Sequence, residues 1–167
     1  MQCAVAKREK WILALTSAGI VGADQLVKGI VSGFPEGKVI INLQPLFQIV
    51  RAQNSGAAFS VMNGQVMLLL ILTTCMLVGV LGVIFFYKGI SRQARRALAV
   101  LAGGGIGNWL DRFLSGTVTD YICLKFIEFP IFNIADICIS VSVIYLIALL
   151  FFDRFENHTG EKHGTGY

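Results

Sequence analysis

The sequence predicts a polytopic α-helical membrane protein, with four transmembrane helices and a small extracytoplasmic β-sheet that forms a cradle between helices 1 and 2. Of its 167 residues, 55% are hydrophobic and 14% are charged, against roughly 25% charged residues in ordinary soluble domains. The mean hydropathy is +0.70. Four stretches are also apolar for about the 20 residues that a helix needs to cross the hydrocarbon core. We therefore expect one membrane-embedded domain, residues 1–167, with spans at 11–31, 66–87, 97–114 and 133–152 and a disordered tail from about 156.

The first span follows three basic residues, which is also typical of a cleaved signal peptide. The apolar stretch continues past Ala23, however, and Asp24 and Lys28 lie four residues apart with the acid first. That spacing lets the two side chains pair on one face of a helix. A paired charge is one way in which a spanning helix tolerates ionisable groups, so we expect a retained helix.

Residues 32–64 are too polar to span a membrane and contain several glycines and prolines that favour turns. Within them, Val39–Leu43 and Phe47–Arg51 have the composition of short β-strands. We expect these strands to form a small sheet on the membrane surface. Asn54-Ser55-Gly56, which follows, could be an ordinary turn.

The second span carries no charge and no proline, and we interpret it as scaffold. The third span contains Gly103-Gly104-Gly105-Ile106-Gly107. A phosphate-binding loop would need a strand before it and a helix after it, whereas small residues within an apolar helix let neighbouring helices approach closely. The same helix ends with Asn108, Asp111 and Arg112 on one face, where an Asp111–Arg112 pair would support the structure.

The net charge of +4 is explained by where the basic residues fall. Three precede the first span and four lie between the second and third, so the positive-inside rule places both segments in the cytoplasm. Four spans then return the carboxyl terminus to the same side and leave residues 32–64 and 115–132 outside. On this map the polar residues of the spans gather near the outer face: Asp24, Lys28, Asn108, Asp111, Arg112, Asp120, Asn133 and Asp136.

This one-sided distribution separates three classes of function. A transporter needs access from both faces, and its ionisable residues tend to cluster near the midplane, often in repeated halves. The sequence shows neither a repeat nor an inner polar path. An assembly subunit would need none of these acids. An enzyme at the outer surface needs one polar pocket at one depth, which is the pattern present.

Several chemistries are disfavoured by the residue inventory. Both histidines lie in the carboxyl-terminal tail and no HExxH spacing occurs, which argues against metal hydrolysis and against a Cys–His nucleophile. The four cysteines have the spacing of neither a metal site nor a disulfide framework, although pairing of Cys123 with Cys138 stays open. A Ser–Lys arrangement also stays open, using Ser55, Ser60 or Ser115 with Lys28 or Lys125.

Asp120 and Asp136 are the stronger candidates. Asp120 follows the third span and Asp136 opens the fourth, so both return to the same face at similar depth. Two carboxyls held close together cannot both ionise, so one keeps a proton while the other removes a proton from water that attacks a carbonyl. The plainer alternatives are that Asp120 is a solvated loop acid and that Asp136 belongs to a helix start with Asn133 as N-cap.

Five motifs follow one another along the chain: Asp24-Gln25-x-x-Lys28, Asn54-x-Gly56-Ala57-Ala58-Phe59, Gly103-Gly104-x-x-Gly107-Asn108-x-x-Asp111-Arg112, Val118-x-Asp120-Tyr121 and Phe129-Pro130-x-Phe132-Asn133-x-Ala135-Asp136. Each motif is weak alone, but the five in order cover nearly the whole chain with spacing that suits four spans. Together they resemble the bacterial lipoprotein signal peptidases, also called signal peptidase II. One departure is Gly105, where the family usually has alanine, and it would loosen helix packing slightly.

The resemblance implies an aspartic endopeptidase of the bacterial cytoplasmic (inner) membrane. It would act on prolipoproteins that carry a diacylglyceryl group and cut just before the lipobox cysteine, with Asp120 and Asp136 as the catalytic pair. A surface sheet and a short interfacial helix from the first outer loop would cradle the substrate, and globomycin-type peptides would block the pocket. We expect no cofactor, no metal and no nucleic-acid partner, and a monomer. Residues that would build or line the pocket are Asp24, Lys28, Asn54, Gly56, Asn108, Asp111, Arg112, Asn133 and Ala135.

Overall fold

Four helices and three strands make up the described part of the chain. The computed structural model describes residues 7–56 and 64–162, and for 153–162 the backbone alone. Their order is α1 (Lys7–Ser32), β1 (Val39–Leu43), β2 (Phe47–Asn54), α2 (Val66–Phe86), α3 (Arg92–Ser115), β3 (Val118–Leu124) and α4 (Ile134–Lys162). Each predicted span lies within or nearly within one helix. Ala57, Ala58, Phe59 and Ser60 of the expected site or motif lie outside the described residues.

Two helices of the described part, Val66–Phe86 and the Ile134–Phe152 section of α4, are long and apolar enough to cross a membrane. The other two helices carry charged residues in addition to apolar ones: α1 contains Asp24 and Lys28, and α3 begins with three arginines. Crossing of the membrane by all four therefore stays a prediction. The end of α4 differs from expectation, because the helix continues to Lys162 through the tail predicted to be disordered. No proline interrupts its backbone hydrogen bonds there.

The sheet has one strand more than the sequence analysis predicted. Its order is β1-β2-β3, and both pairs are antiparallel. The third strand comes from the connection between α3 and α4, not from the one between helices 1 and 2, and it pairs Asp120 with Ala52 of β2. The expected interfacial helix is absent from the described part of the first outer loop, residues 33–56 and 64–65.

Helix α3 lies at the centre and packs against α1, α2 and α4. Its glycines make this possible: a Cβ atom on Gly104 would lie 2.6 Å from the carbonyl oxygen of Ala135, and one on Gly107 would lie 2.6 Å from Asp24 Oδ2. Both distances are far below a normal van der Waals contact. The close approach predicted from the glycine run is therefore confirmed, and it brings the polar residues of α1, α3 and α4 together.

The α2–α3 connection is fixed by Arg95, which is buried and donates to the carbonyl oxygens of Ile84 and Tyr87 at the end of α2. A cation at a helix carboxyl terminus satisfies free carbonyls and opposes the helix dipole. Ser91 Oγ accepts from the Ala94 amide (3.1 Å) and caps α3. Cys123 and Cys138, whose pairing the sequence left open, are both free thiols.

Candidate active site

The start of α4 combines two roles that the sequence analysis treated as alternatives. The Asn133 side chain accepts from the Asp136 amide (2.9 Å), and Asp136 Oδ2 accepts from the Asn133 amide (3.2 Å). This reciprocal arrangement is a capping box. The predicted helix-start role of Asp136 is thus confirmed, and it engages one carboxylate oxygen with the backbone while the other, Oδ1, points to the neighbouring helix.

Two other elements supply acceptors for the remaining amides of this first turn. The Tyr121 hydroxyl, from β3, accepts from the Ile134 amide (3.2 Å), and Asp24 Oδ1, from α1, accepts from the Ala135 amide (3.1 Å). The first amides of a helix have no partner within the helix and must find one elsewhere. The position of Asp136 is consequently set by α1 and β3 as well as by its own helix.

Asp120 lies on β3 and is 2% exposed. Its Oδ1 accepts from Asn133 Nδ2 (2.7 Å) and its Oδ2 from Asn54 Nδ2 (2.9 Å). The alternative that Asp120 is a solvated loop acid is therefore wrong, because the loop in question is a strand that packs under the helices. The expected turn after β2 is also present: Asn54 Oδ1 accepts from the Gly56 amide (2.9 Å).

Two amide side chains connect the two acids. Asn108 Nδ2 donates to Asp136 Oδ1 (2.7 Å), and Asn133 Nδ2, which also donates to Asp120, lies 3.2 Å from Asn108 Oδ1. Because Lys28 Nζ donates to the same Asn108 oxygen (2.8 Å), the amide nitrogen of Asn108 must face Asp136. The hydrogen bonds thus run from one carboxylate to the other.

A buried ion cluster supports this connection. Lys28, which is 3% exposed, lies 2.7 Å from Asp24 Oδ2 and 3.0 Å from Asp111 Oδ2. The predicted Asp24–Lys28 pair is confirmed. The predicted Asp111–Arg112 pair is wrong, because successive residues on a helix do not face each other. Asp111 turns to Lys28, whereas Arg112 donates to the carbonyl oxygens of Gly56 (2.8 Å) and Asn108 (3.3 Å).

The contacts of Lys28 and Ser115 argue against the form of the Ser–Lys alternative that uses these two residues. Three acceptors, Asp24, Asp111 and Asn108, surround the amine of Lys28, which has three N–H donors. All three donors of the amine are thereby occupied. The Ser115 hydroxyl has two backbone carbonyl oxygens within hydrogen-bond distance of its single donor, those of Asp111 (2.8 Å) and Thr117 (3.0 Å).

Both acids open onto one cavity of about 560 Å³. Its polar groups include Asn54, Asn108 and Arg112, and most of the remaining wall is apolar. A mainly apolar cavity of roughly 300–1,000 Å³ with a few convergent polar groups is the usual form of a binding site. Val118 and Leu124 of β3 contribute to the apolar wall. The rest of it comes from the segment before α4 and from the first turns of that helix: Phe129, Pro130, Ile131, Phe132, Ile137, Ile139 and Val141.

Burial changes the acidity of the groups on β3. Desolvation is the largest effect on Asp120 and raises its pKa to about 6; the Asn54 hydrogen bond opposes this, and the nearby charge of Asp136 adds to it. Desolvation likewise raises the pKa of Tyr121 to about 12. Asp120 therefore holds a proton more readily than an exposed aspartate, and the Tyr121 hydroxyl stays neutral at any ordinary pH.

The site residues predicted from the sequence form one connected cluster. Ala135, fully buried, belongs to it through its amide and through its carbonyl oxygen against Gly104. Among the described residues, Gln25 and Tyr121 contribute side chains to the cluster although they were not predicted as site residues. Gln25 donates to Asp111 Oδ1 (2.8 Å) and to the Gly107 carbonyl oxygen (3.1 Å), and Tyr121 caps α4. Gln25 follows Asp24 and Tyr121 follows Asp120 in the motifs given above, and this adjacency is the sequence feature that could have identified them as site residues.

Comparison with known protein sequences identifies one family. The model of the family described as signal peptidase (SPase) II matches residues 16–152. The lipoprotein signal peptidase of Streptococcus pneumoniae is 34% identical over 141 residues, covering 84% of this chain and 92% of the relative. That of Bacillus subtilis is 34% identical over 136 residues, covering 78% and 88%.

A bacterial membrane enzyme structure determined by the in meso method at 2.3 Å resolution superposes with a TM-score of 0.83. It is 27% identical, and the match covers 100% of this chain and 99% of that one. A second such structure, at 1.9 Å resolution, gives a TM-score of 0.78 over 90% of this chain and 97% of the other. The fold is thus that of a bacterial membrane enzyme, and the chain belongs to the signal peptidase II family of proteases.

Proposed function

We propose that the protein is an aspartic endopeptidase that removes the signal peptide from diacylglyceryl-modified prolipoproteins by cutting before the lipidated lipobox cysteine. The observation that carries the proposal is the pairing of Asp120 and Asp136 across one cavity, joined through the amides of Asn133 and Asn108. Membership of the signal peptidase II family supports the substrate class, as does the name of its relatives, lipoprotein signal peptidases.

The charge balance of the site favours an acid pair that shares a proton. Among the described residues of the cluster, four carboxyl groups face two cations, Lys28 and Arg112; the carboxyl groups are those of Asp24, Asp111, Asp120 and Asp136. Full ionisation would leave two excess negative charges in a partly buried site, which is unfavourable. Burial already raises the pKa of Asp120 to about 6. The positive end of the α4 dipole stabilises an ionised carboxylate in the first turn, where Asp136 lies.

Asp136 accordingly acts as the base and Asp120 holds the proton. Asp136 removes a proton from water as the water oxygen bonds to the scissile carbonyl carbon, and the Asp120 proton passes to the carbonyl oxygen, giving a neutral tetrahedral diol. The Asp136 proton then moves to the leaving nitrogen as the C–N bond breaks, and a diol proton returns to Asp120. The products are a new carboxyl group and a free amine on the cysteine, and both acids regain their starting states.

The apolar wall of the cavity suits a substrate with a lipid-modified residue. Phe129, Ile131 and Ile137 are among the residues that line it, together with both acids. A diacylglyceryl-cysteine lies at the bilayer boundary, so the groups that cut beside it should lie at the same depth. We further propose that the enzyme is a monomer in the bacterial cytoplasmic membrane, needs no cofactor, has both termini in the cytoplasm and its site near the outer face, and binds globomycin-type peptides in the same cavity.

The test compares Asp120→Asn and Asp136→Asn with the parent enzyme. Purified protein is incubated with a diacylglyceryl-modified prolipoprotein and with its unlipidated form, and release of the signal peptide is followed by gel shift. Asparagine keeps the shape of aspartate, so the capping role tolerates it with a loss of well under about 2 kcal/mol. We expect both variants to stay folded and to bind lipidated substrate without cutting it.

Glu128→Gln is the matched control, because Glu128 is an exposed acid of the neighbouring loop and does not line the main cavity. It should cut at the parent rate. Turnover near the parent rate in either Asn variant would refute the acid-pair mechanism. Equal cleavage of the unlipidated prolipoprotein by the parent would refute the proposed substrate class.

A further inference from the structure

Tyr121 follows Asp120 directly on β3, and its side chain is 3% exposed. Its hydroxyl accepts the Ile134 amide hydrogen (3.2 Å), two residues before Asp136. The side chain of Tyr121, the residue after Asp120, therefore contacts the helix turn that carries Asp136. The proton transfers of the acid-pair mechanism do not use this hydroxyl.

The backbone around Tyr121 strengthens the same connection. The Tyr121 amide donates to the Phe132 carbonyl oxygen (3.1 Å), and Ile122 and Phe132 exchange backbone hydrogen bonds of 2.8 and 3.1 Å. The segment that leads into α4 is thus held along β3. These bonds end at Phe132, whereas α4 begins two residues later. The hydrogen bond from the Ile134 amide to the Tyr121 hydroxyl links β3 to the first amide of the helix.

We infer that Tyr121 is a positioning residue whose hydroxyl holds the first turn of α4 so that Asp136 faces Asp120 in the geometry needed for cleavage. The inference rests on the acid-pair mechanism proposed above. The hydroxyl oxygen acts only as an acceptor for the Ile134 amide and exchanges no proton with substrate. Because that amide is the first of the helix, no backbone carbonyl of α4 can replace the lost acceptor.

Tyr121→Phe tests the inference, since it keeps the buried ring and removes only the oxygen. Displacement of a reacting group by about 1 Å costs as much as 10²-fold in rate. Loss of the Tyr121 hydroxyl should move the first turn of α4 by less than about 1 Å, so the loss in rate should be smaller. We expect kcat per folded enzyme to fall about tenfold and KM for the lipidated prolipoprotein to stay within about twofold. The melting temperature should fall by several degrees, because the Ile134 amide loses its acceptor. Tyr145→Phe, at a half-exposed tyrosine farther along α4, is the matched control and should match the parent.

A merely structural role would lower the folded fraction and leave kcat per folded enzyme unchanged, and that result would overturn the inference. So would a kcat within twofold of the parent. Hydrogen exchange of the Ile134 amide in the parent gives a test that needs no variant: slow exchange supports the bond, and exchange as fast as at an exposed helix start refutes it. Asp120→Asn and Asp136→Asn in the same assay test the acid-pair mechanism alone. Failure of that mechanism can therefore be told apart from failure of the positioning role of Tyr121.

Discussion

Replacing Gly104 by alanine should force α3 and α4 apart at the level of the site. The new Cβ atom would lie 2.6 Å from the Ala135 carbonyl oxygen and 3.0 Å from Ile139 Cγ1. Ordinary contacts of this kind begin at 3.4 Å, so the two helices must separate by about 0.8 Å or distort. The obstacle is a backbone oxygen, which cannot swing aside as the end of a flexible side chain can.

The size of the effect follows from two opposing contributions. Alanine is favoured over glycine within a helix by up to about 1 kcal/mol. Overpacking of a well-packed contact costs about 1–3 kcal/mol. Gly79→Ala is a matched control, because Gly79 also lies inside an apolar helix but has nothing within 4 Å of the place where a Cβ atom would lie. The helix-propensity gain is common to both variants, so their difference in unfolding free energy should be the overpacking cost alone, about 1–3 kcal/mol.

Thermal unfolding of the detergent-solubilised protein measures this difference. For a chain of this size, 1 kcal/mol corresponds to roughly 2–4 °C, so Gly104→Ala should melt about 2–12 °C below Gly79→Ala. Cleavage should fall at least about tenfold per folded enzyme, since Asp136 moves with α4 away from Asn108 on α3. If Gly104→Ala were as stable and as active as Gly79→Ala, the close approach of the two helices would not be what positions the acid.

Three further predictions concern acidity, the ion cluster and orientation. Because burial raises the pKa of Asp120 to about 6, kcat/KM should fall as pH rises through about 6. The folded protein also holds the Asp120 proton more tightly than the unfolded chain does, so the unfolding free energy should decrease as pH rises from about 4 to about 6. Asn54→Ala removes a hydrogen bond to the ionised form and should shift that fall in kcat/KM to higher pH, and an unshifted profile would contradict this assignment. Lys28→Met leaves two buried carboxylates without their cation and should lower the unfolding free energy by about 3–5 kcal/mol, which an unchanged melting temperature would rule out. Cysteines placed at positions 37 and 92 should label from the outside and from the cytoplasm respectively, and equal outside labelling would overturn the proposed orientation.

The sequence allowed the four helices to be placed because apolar runs of helix length are a local signal. The ends of α2 agree with the predicted bounds within one residue, since charge and turn residues flank that run. It also allowed the acids to be singled out, because a charge beside an apolar span is costly and needs a reason. The Asp24–Lys28 pair was accessible because its two residues are only four apart in the chain.

What the sequence could not provide were contacts between distant segments. The pairing of β2 with β3 joins residues such as Ala52 and Asp120 that are far apart in the chain, so no local pattern indicates it. The partner of Asp111 depends on how α1 lies against α3, and the glycines that set this distance are visible only as small residues in the sequence. Tyr121 was part of a motif, but its hydroxyl bond appears only once β3 and α4 are adjacent.

The bond between Asp24 and the Ala135 amide joins the first helix of the chain to the last one. Chains are synthesised from the amino terminus, so α1, α2 and α3 exist before α4 does. During that interval Asp24 has no Ala135 amide to accept from, and Asp136 has not yet been made. A nascent or truncated chain that lacks α4 consequently cannot assemble the pair of acids, and on the proposed acid-pair mechanism it cannot cut peptide bonds. The order of the helices thus makes the site depend on the last helix to be synthesised.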